Sequence, residues 1–129
     1  MTTSEKSIHI PLPSCFGLLP FTRGVLVGDA FHLAGHIGID PAKKKVPGKI
    51  EAAVQVPTKS IRDTLGEVGQ ALRDLVHVHV SCPDVALFDR FNAVNRTYFQ
   101  DPLPARAFLS SGSSLFGAHS EIPGTAVNS

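Results

Sequence analysis

Between Ile61 and Val80 the hydrophobic period of the chain changes from helical to extended. Ile61, Leu65, Val68 and Leu72 recur at i, i+4, i+7 and i+11, one face of a helix, with Lys59, Arg62, Asp63 and Glu67 mostly off that stripe. Val76-His77-Val78-His79-Val80 then alternates with period two, a strand that places three valines on one face. A helix followed directly by a half-buried strand calls for a layered fold in which helices cover a sheet. Gly66 and Gly69 weaken the helix without necessarily ending it. Pro57 fits badly inside a helix, so either the helix begins near it or an earlier turn is kinked.

The remaining chain supplies the other layers. Gly24–Val27 and Ala30–Ala34 read as strands joined by a tight Gly28-Asp29 turn, and Ile37-Gly38-Ile39 prolongs the second towards Asp40-Pro41. Residues 41–48 read as a lysine-rich loop. Leu87, Phe91, Val94 and Tyr98 have helical spacing behind a Pro83-Asp84 start signal. Ala105–Leu109 is a short apolar strand, residues 110–114 a Ser/Gly loop, and Glu121–Val127 a last strand interrupted by Pro123 and Gly124. The order is β-β-α-β-α-β-β, and its simplest architecture is a mixed sheet with two amphipathic helices on one face.

Bulk properties narrow the function classes. A chain of 129 residues, 43% hydrophobic and 18% charged, fits one domain spanning residues 1–129 with a real core. A formal net charge of +1, with no basic run longer than Lys43-Lys44-Lys45, gives no electrostatic footprint for nucleic acid. The residues before Pro11 lack the apolar core of a signal peptide, and no run approaches a membrane span. Two cysteines, Cys15 and Cys82, make neither a disulfide framework nor a four-thiolate zinc site. A soluble, cytoplasmic protein is the expectation.

Several segments, in order, resemble the reactive intermediate deaminase (Rid/YjgF) family. Pro20-Phe21-Thr22 followed by Gly28-Asp29 is similar to its "PYS…GD" opening. Gly35-His36-Ile37-Gly38-Ile39-Asp40-Pro41 is similar to its "SGQ-x-x-x-(D/N)P" stretch. Phe88 through Phe99 resembles its helix "F-x-x-(V/M)-N-x-x-Y-x-x-(Y/F)-F", with Asn92 at the asparagine. Pro104-Ala105-Arg106 matches its "PAR", and Glu121-Ile122 the start of its "E-I-E" strand. The likeness runs from about residue 20 to 127. It implies an α+β, chorismate-mutase-like fold, a mixed six-stranded sheet with two helices on one face. It further implies a homotrimer with sites in the clefts between subunits, whose packing would protect the uncovered sheet face.

The resemblance implies a cofactor-free hydrolytic deaminase acting on a carboxylate-bearing imine or enamine, such as 2-iminobutanoate or 2-iminopropanoate. Arg106 would hold the substrate carboxylate, because a guanidinium grips a carboxylate through two parallel hydrogen bonds. Glu121 would manage water and a proton, since imine hydrolysis adds water at carbon and protonates the departing nitrogen. Asn92 and Phe88, at i and i+4, would line the cleft from one helix face. Gly35 would let the backbone approach the substrate. The chain departs from the pattern at Phe21 (usually tyrosine), Ala34 (usually serine), His36 (usually glutamine) and Pro123 (usually glutamate). Its turn after the first helix is shortened and lacks the usual glycine. These changes make the pocket more apolar and imply an altered substrate, or weak action on small imino acids.

The histidines suggest pairs rather than a metal centre. His77 and His79 share a strand face, as do His32 and His36 if their strand is continuous, and His119 with Glu121 in an extended segment. No spacing supplies a third or fourth ligand, so no metal is expected. Cys82 reads as a small buried residue. Within the family the resemblance also allows an aminomuconate-type or other catabolic deaminase, which would suit a more apolar pocket. Alternatives of other classes are a non-catalytic keto-acid binding module built on Arg106 and an endoribonuclease, the latter disfavoured by the near-neutral charge.

Overall fold

A computed structural model describes residues 7–12, 19–37, 50–82, 84–110 and 121–128. Its regular elements are β1 (Ser7–Ile10), β2 (Gly24–Val27), β3 (Ala30–Ile37), α1 (Ile50–Gly66), β4 (Leu75–Cys82), α2 (Phe88–Asn95), β5 (Ala105–Ser110) and β6 (Glu121–Val127). Short 3-10 turns precede β4 and flank α2. The strands form one six-stranded mixed sheet in the order β1-β2-β3-β6-β4-β5. β4 and β5 are parallel and joined through α2, as a crossover requires; the other neighbours are antiparallel.

Both helices pack on one sheet face. Phe31, Leu33, Val78, Val80, Ile122 and Ala126 from the sheet meet Val54, Ile61 and Leu65 of α1 and Phe91 of α2 in a single core. The helix begins at Ile50 and keeps Pro57, buried, inside it. Val54, Pro57, Thr58, Ile61, Thr64 and Leu65 form the buried stripe, so the proline ring is core material. Thr58 donates its hydroxyl to the Val54 carbonyl at 2.8 Å.

The helix stops where the glycines lie. Gly69 adopts φ +75°, Gln70 N–H donates to Leu65 O at 2.9 Å, and Gly69 N–H donates to Gly66 O at 3.2 Å. This is a Schellman cap with glycine at its left-handed position. Val68 and Leu72 therefore lie beyond the helix, although both still pack on the core. The turn after the first helix does carry its glycine, contrary to the expectation from the family pattern.

Two β-bulges explain where simple alternation misplaces side chains. In β4, Leu75 pairs with Ala126 and His77 with Thr125, so the bulge takes Val76 out of phase. Leu75, Val78 and Val80 are buried while Val76 is 49% exposed, so only two of the three valines share the core face. In β3, Leu33 pairs with Gly124 and His36 with Ile122, three steps against two. His32 stays exposed and His36 turns into the core, so these two histidines do not share a face.

Two further features differ from the sequence reading. Ser7–Ile10, which the β-β-α-β-α-β-β order leaves out, supply β1, which pairs with β2 and buries Ile10. β6 is continuous through Pro123 although it lies mid-sheet. The ladder to β3 has its bulge opposite that residue, so the missing N–H falls where pairing is already interrupted. The loops at 41–48 and 111–114, together with Cys15 and His119, lie outside the described residues.

Two alanine substitutions near the Schellman cap should have opposite signs. Nothing lies within 4 Å of a Cβ on Gly66, whereas Gly69 holds φ +75°. Gly66→Ala should stabilise the fold by about 0.5–1 kcal/mol and Gly69→Ala should destabilise it by about 1–2 kcal/mol. Chemical denaturation midpoints measure both, and equal signs would show that the cap does not end the helix in solution.

Candidate active site: a caged arginine and a carboxylate over glycine

Arg106 lies on β5 beside Val78 of β4, and its side chain turns to the helix-covered face. Its Nη2 donates to Asn92 Oδ1 on α2 at 2.7 Å. Three rings surround the guanidinium, with Cζ 5.7 Å from the centroid of Phe88, 5.8 Å from Phe91 and 5.7 Å from Phe108. Phe108 meets Phe88 and Phe91 edge to face at 5.0 and 5.4 Å. Each ring presents an electron-rich face or packs against one that does, which offsets part of the cost of burying the cation. Burial lowers the Arg106 pKa from its ordinary value, yet a guanidinium stays charged near neutrality. Asn92 uses its carbonyl on Arg106, leaving its amide hydrogens directed elsewhere. A cavity of about 260 Å³ adjoins this group, bounded in part by Asn92, Asn95, Arg96, Phe99, Leu103 and Arg106.

Glu121 opens β6 and lies between Ile37 of β3 and Ser81 of β4. A Cβ on Gly35 would come within 2.8 Å of both Cγ and Cδ of Glu121, so the glycine is what lets the carboxylate lie on the β3 backbone. β6 buries Ile122 and Ala126 towards the helices, and Glu121 alternates to the opposite face. Arg106 aligns with Val78 and Glu121 with Ser81, and β4 separates their strands. They are thus about 10 Å apart along the strands, about 10 Å apart across them, and on opposite faces.

The predicted residues accordingly fall into two groups. Arg106, Asn92 and Phe88 come together on α2 and β5, while Glu121 and Gly35 come together on β6 and β3. Phe21 is exposed and Ala34 half-buried at the bulge. His36 is buried on the helix side. Its Nδ1 lies 2.7 Å from the Ala34 carbonyl, which can only accept, and its Nε2 lies 3.2 Å from Thr64 Oγ1 on α1. The histidine thus ties α1 to the bulge beneath Gly35. Burial, and secondarily the charge of Arg23, lower its pKa, against the raising effect of the Ala34 hydrogen bond.

Sequence reading missed Phe91 and Phe108 as walls of the arginine cage. Their signal is spacing, i+3 from Phe88 on the helix and i+2 from Arg106 on the strand, but both also read as ordinary core. His32 and His77 flank Thr125 on the open sheet face. Among the described residues no three histidine, cysteine or acidic side chains gather as a metal-binding set. Among those residues, too, no helix is long and apolar enough to cross a membrane.

Comparison with known proteins gives a consistent result. A family model described as endoribonuclease L-PSP matches residues 16–128. A RutC family protein of Saccharolobus solfataricus is 38% identical over 88 residues, 67% of this chain and 70% of that protein. The 2-iminobutanoate/2-iminopropanoate deaminase of Mus musculus is 29% identical over 116 residues, 89% of this chain and 84% of the relative. Among solved structures, RidA of Psychrobacter sp. superposes with TM-score 0.83 at 22% identity, covering 98% of this chain and 100% of its own. The YjgF gene product of E. coli gives TM-score 0.83 at 22% identity, with 94% of each chain covered. Likeness at that identity shows the fold alone.

The environment of His36 has a consequence for stability. Its folded pKa lies below the ordinary 6.5 that it regains on unfolding. Above 6.5 both states are neutral and nothing is lost; as pH falls through 6.5 the unfolded chain takes up a proton that the folded chain refuses. The parent should therefore lose stability relative to His36→Gln as pH drops from 7.5 to 5.5, read from denaturant midpoints at each pH. Equal losses in parent and variant would show that His36 is not held neutral.

Proposed function

The chain belongs to the endoribonuclease L-PSP (Rid/YjgF) family, and on that premise we propose that it hydrolyses a carboxylate-bearing imine or enamine to a keto acid and ammonia. The observation that carries this reading is the Arg106 guanidinium, anchored on Asn92 within three phenylalanine rings beside a cavity. Such a cation, partly withdrawn from water, binds a small carboxylate more strongly than an exposed arginine does. Mammalian relatives named 2-iminobutanoate/2-iminopropanoate deaminase support the choice of reaction.

The chemistry needs one proton carrier. Water adds to the imine carbon, the π electrons move to nitrogen, and a proton passes from the water oxygen to that nitrogen. The carbinolamine then collapses to C=O, its hydroxyl proton passing to nitrogen as the C–N bond breaks and ammonia leaves. Glu121 accepts the proton from water and returns it to nitrogen. Within one chain Glu121 is too far from Arg106 to serve the same small substrate. We therefore assign each site an Arg106 from one protomer and a Glu121 from its neighbour, in a homotrimer whose packing covers the open sheet face. Exposed Val27, Val76, Leu109 and Val127 lie on sheet strands and give that packing apolar material.

A second reading, a keto-acid binding module, is favoured by one specific observation. Phe21 and Ala34 provide no hydroxyl where the family pattern has one, so polar contacts for turnover are fewer.

Substitutions separate the two. Arg106→Ala should weaken 2-oxobutyrate binding about ten- to hundredfold, the loss of a charge-assisted contact of roughly 1.5–3 kcal/mol, as read by titration calorimetry. Glu121→Gln should keep that binding and lower turnover roughly 10²–10⁴-fold in an assay that generates imino acids with an amino acid oxidase and traps them with semicarbazide. Turnover unchanged in Glu121→Gln removes the assigned proton carrier. Binding without turnover in the parent, and in Phe21→Tyr/Ala34→Ser, selects the binding module.

A further inference from the structure

The cavity beside Arg106 has a second cation on its wall. Arg96 begins the 3-10 turn that continues α2, four residues beyond Asn92. One helical turn, about 6 Å along the axis, thus separates Arg96 from the residue that anchors Arg106. Among the described residues no carboxylate lies within ion-pair distance of Arg96, whereas Arg23 is paired with Glu67 and Arg90 with Glu51. Asn95, next to it, lines the same cavity with a second amide. It stands at the tyrosine position of the helix pattern, so a short polar side chain replaces a ring and leaves room. Phe99 and Leu103 give the cavity an apolar side suited to methylene groups.

A cleft of about 260 Å³, open to solvent on one side, accepts acids longer than pyruvate. A small monocarboxylate leaves Arg96 and the far end of the cavity unused.

We propose that the substrate is a four- or five-carbon 2-imino dicarboxylate. Its carboxylate next to the imine sits at Arg106 and Asn92, and its distal carboxylate at Arg96 and Asn95. This rests on the reading of Arg106 as the carboxylate anchor and adds Arg96 as the residue that sets specificity. The two arginines then measure the distance between two negative charges, which a monocarboxylate cannot satisfy.

Titration calorimetry with two stable keto acids tests it, 2-oxoglutarate as the dicarboxylate and 2-oxobutyrate as the monocarboxylate. The parent should bind 2-oxoglutarate at least about tenfold more tightly, the scale of one charge-assisted contact. Arg96→Ala should bring the two affinities within about twofold of one another, and Arg96→Lys should restore part of the preference. Equal affinities in the parent, or a preference that survives Arg96→Ala, overturn the dicarboxylate assignment while leaving Arg106 as anchor. If 2-oxobutyrate does not bind the parent, or binds Arg106→Ala equally well, the anchor itself falls and the assignment with it.

Discussion

Pairing of β6 along both of its edges joins the two halves of this protein. β1, β2 and β3 form one ladder of hydrogen bonds and β4 with β5 another, and in the sheet the last strand alone lies between them. The sheet cannot close until nearly the whole chain is present, which gives the fold a high share of long-range contacts and favours slow, all-or-none assembly. The same pairing positions Glu121. Glu121 is the first residue of that strand, and the β3 bulge brings Gly35 beneath its carboxylate. Pro123 survives in a central strand because the bulge has already interrupted the ladder opposite it.

The hairpin around Gly28-Asp29, the strand at Val78–Val80 and the helix at Phe88–Asn95 were legible because period, turn residues and length agreed. β1 was not, since four alternating residues at an edge carry too little pattern to stand apart from a polar terminus. The bulges left no trace either. One extra residue in a ladder changes which side chains face the core without changing composition, so Val76 was placed inward and His36 beside His32. The start of α1 was hidden by Pro57, whose ring is welcome in a core even though its nitrogen gives no hydrogen bond. At the candidate site Arg106, Asn92 and Phe88 were legible as a motif. That Arg106 and Glu121 lie on opposite faces was not, because it depends on a strand from elsewhere in the chain standing between theirs.

The arginine cage shows how an apolar wall can serve a polar task. A guanidinium among three rings loses hydration, and the Asn92 hydrogen bond with the ring quadrupoles returns only part of it. On the proposed reading an incoming carboxylate would supply the remainder. His36 acts on the other group by bracing the bulge from α1, in effect fixing where Glu121 can rest. The two groups are rigid for different reasons, one through helix and strand packing and the other through sheet register. On the proposed reading, assembly is what would bring them into one cleft.

Mixing complementary variants bears most directly on a site shared between protomers. Arg106→Ala and Glu121→Gln chains, each nearly inactive alone, are unfolded together at equal amounts, refolded, and checked for mixed oligomers by native mass spectrometry. If each site draws Arg106 from one chain and Glu121 from its neighbour, random mixing leaves about one quarter of the sites intact, and deaminase activity returns to about a quarter of the parent's. Mixed oligomers that show no more activity than the separate variants would contradict the shared site and place both residues' roles within a single chain.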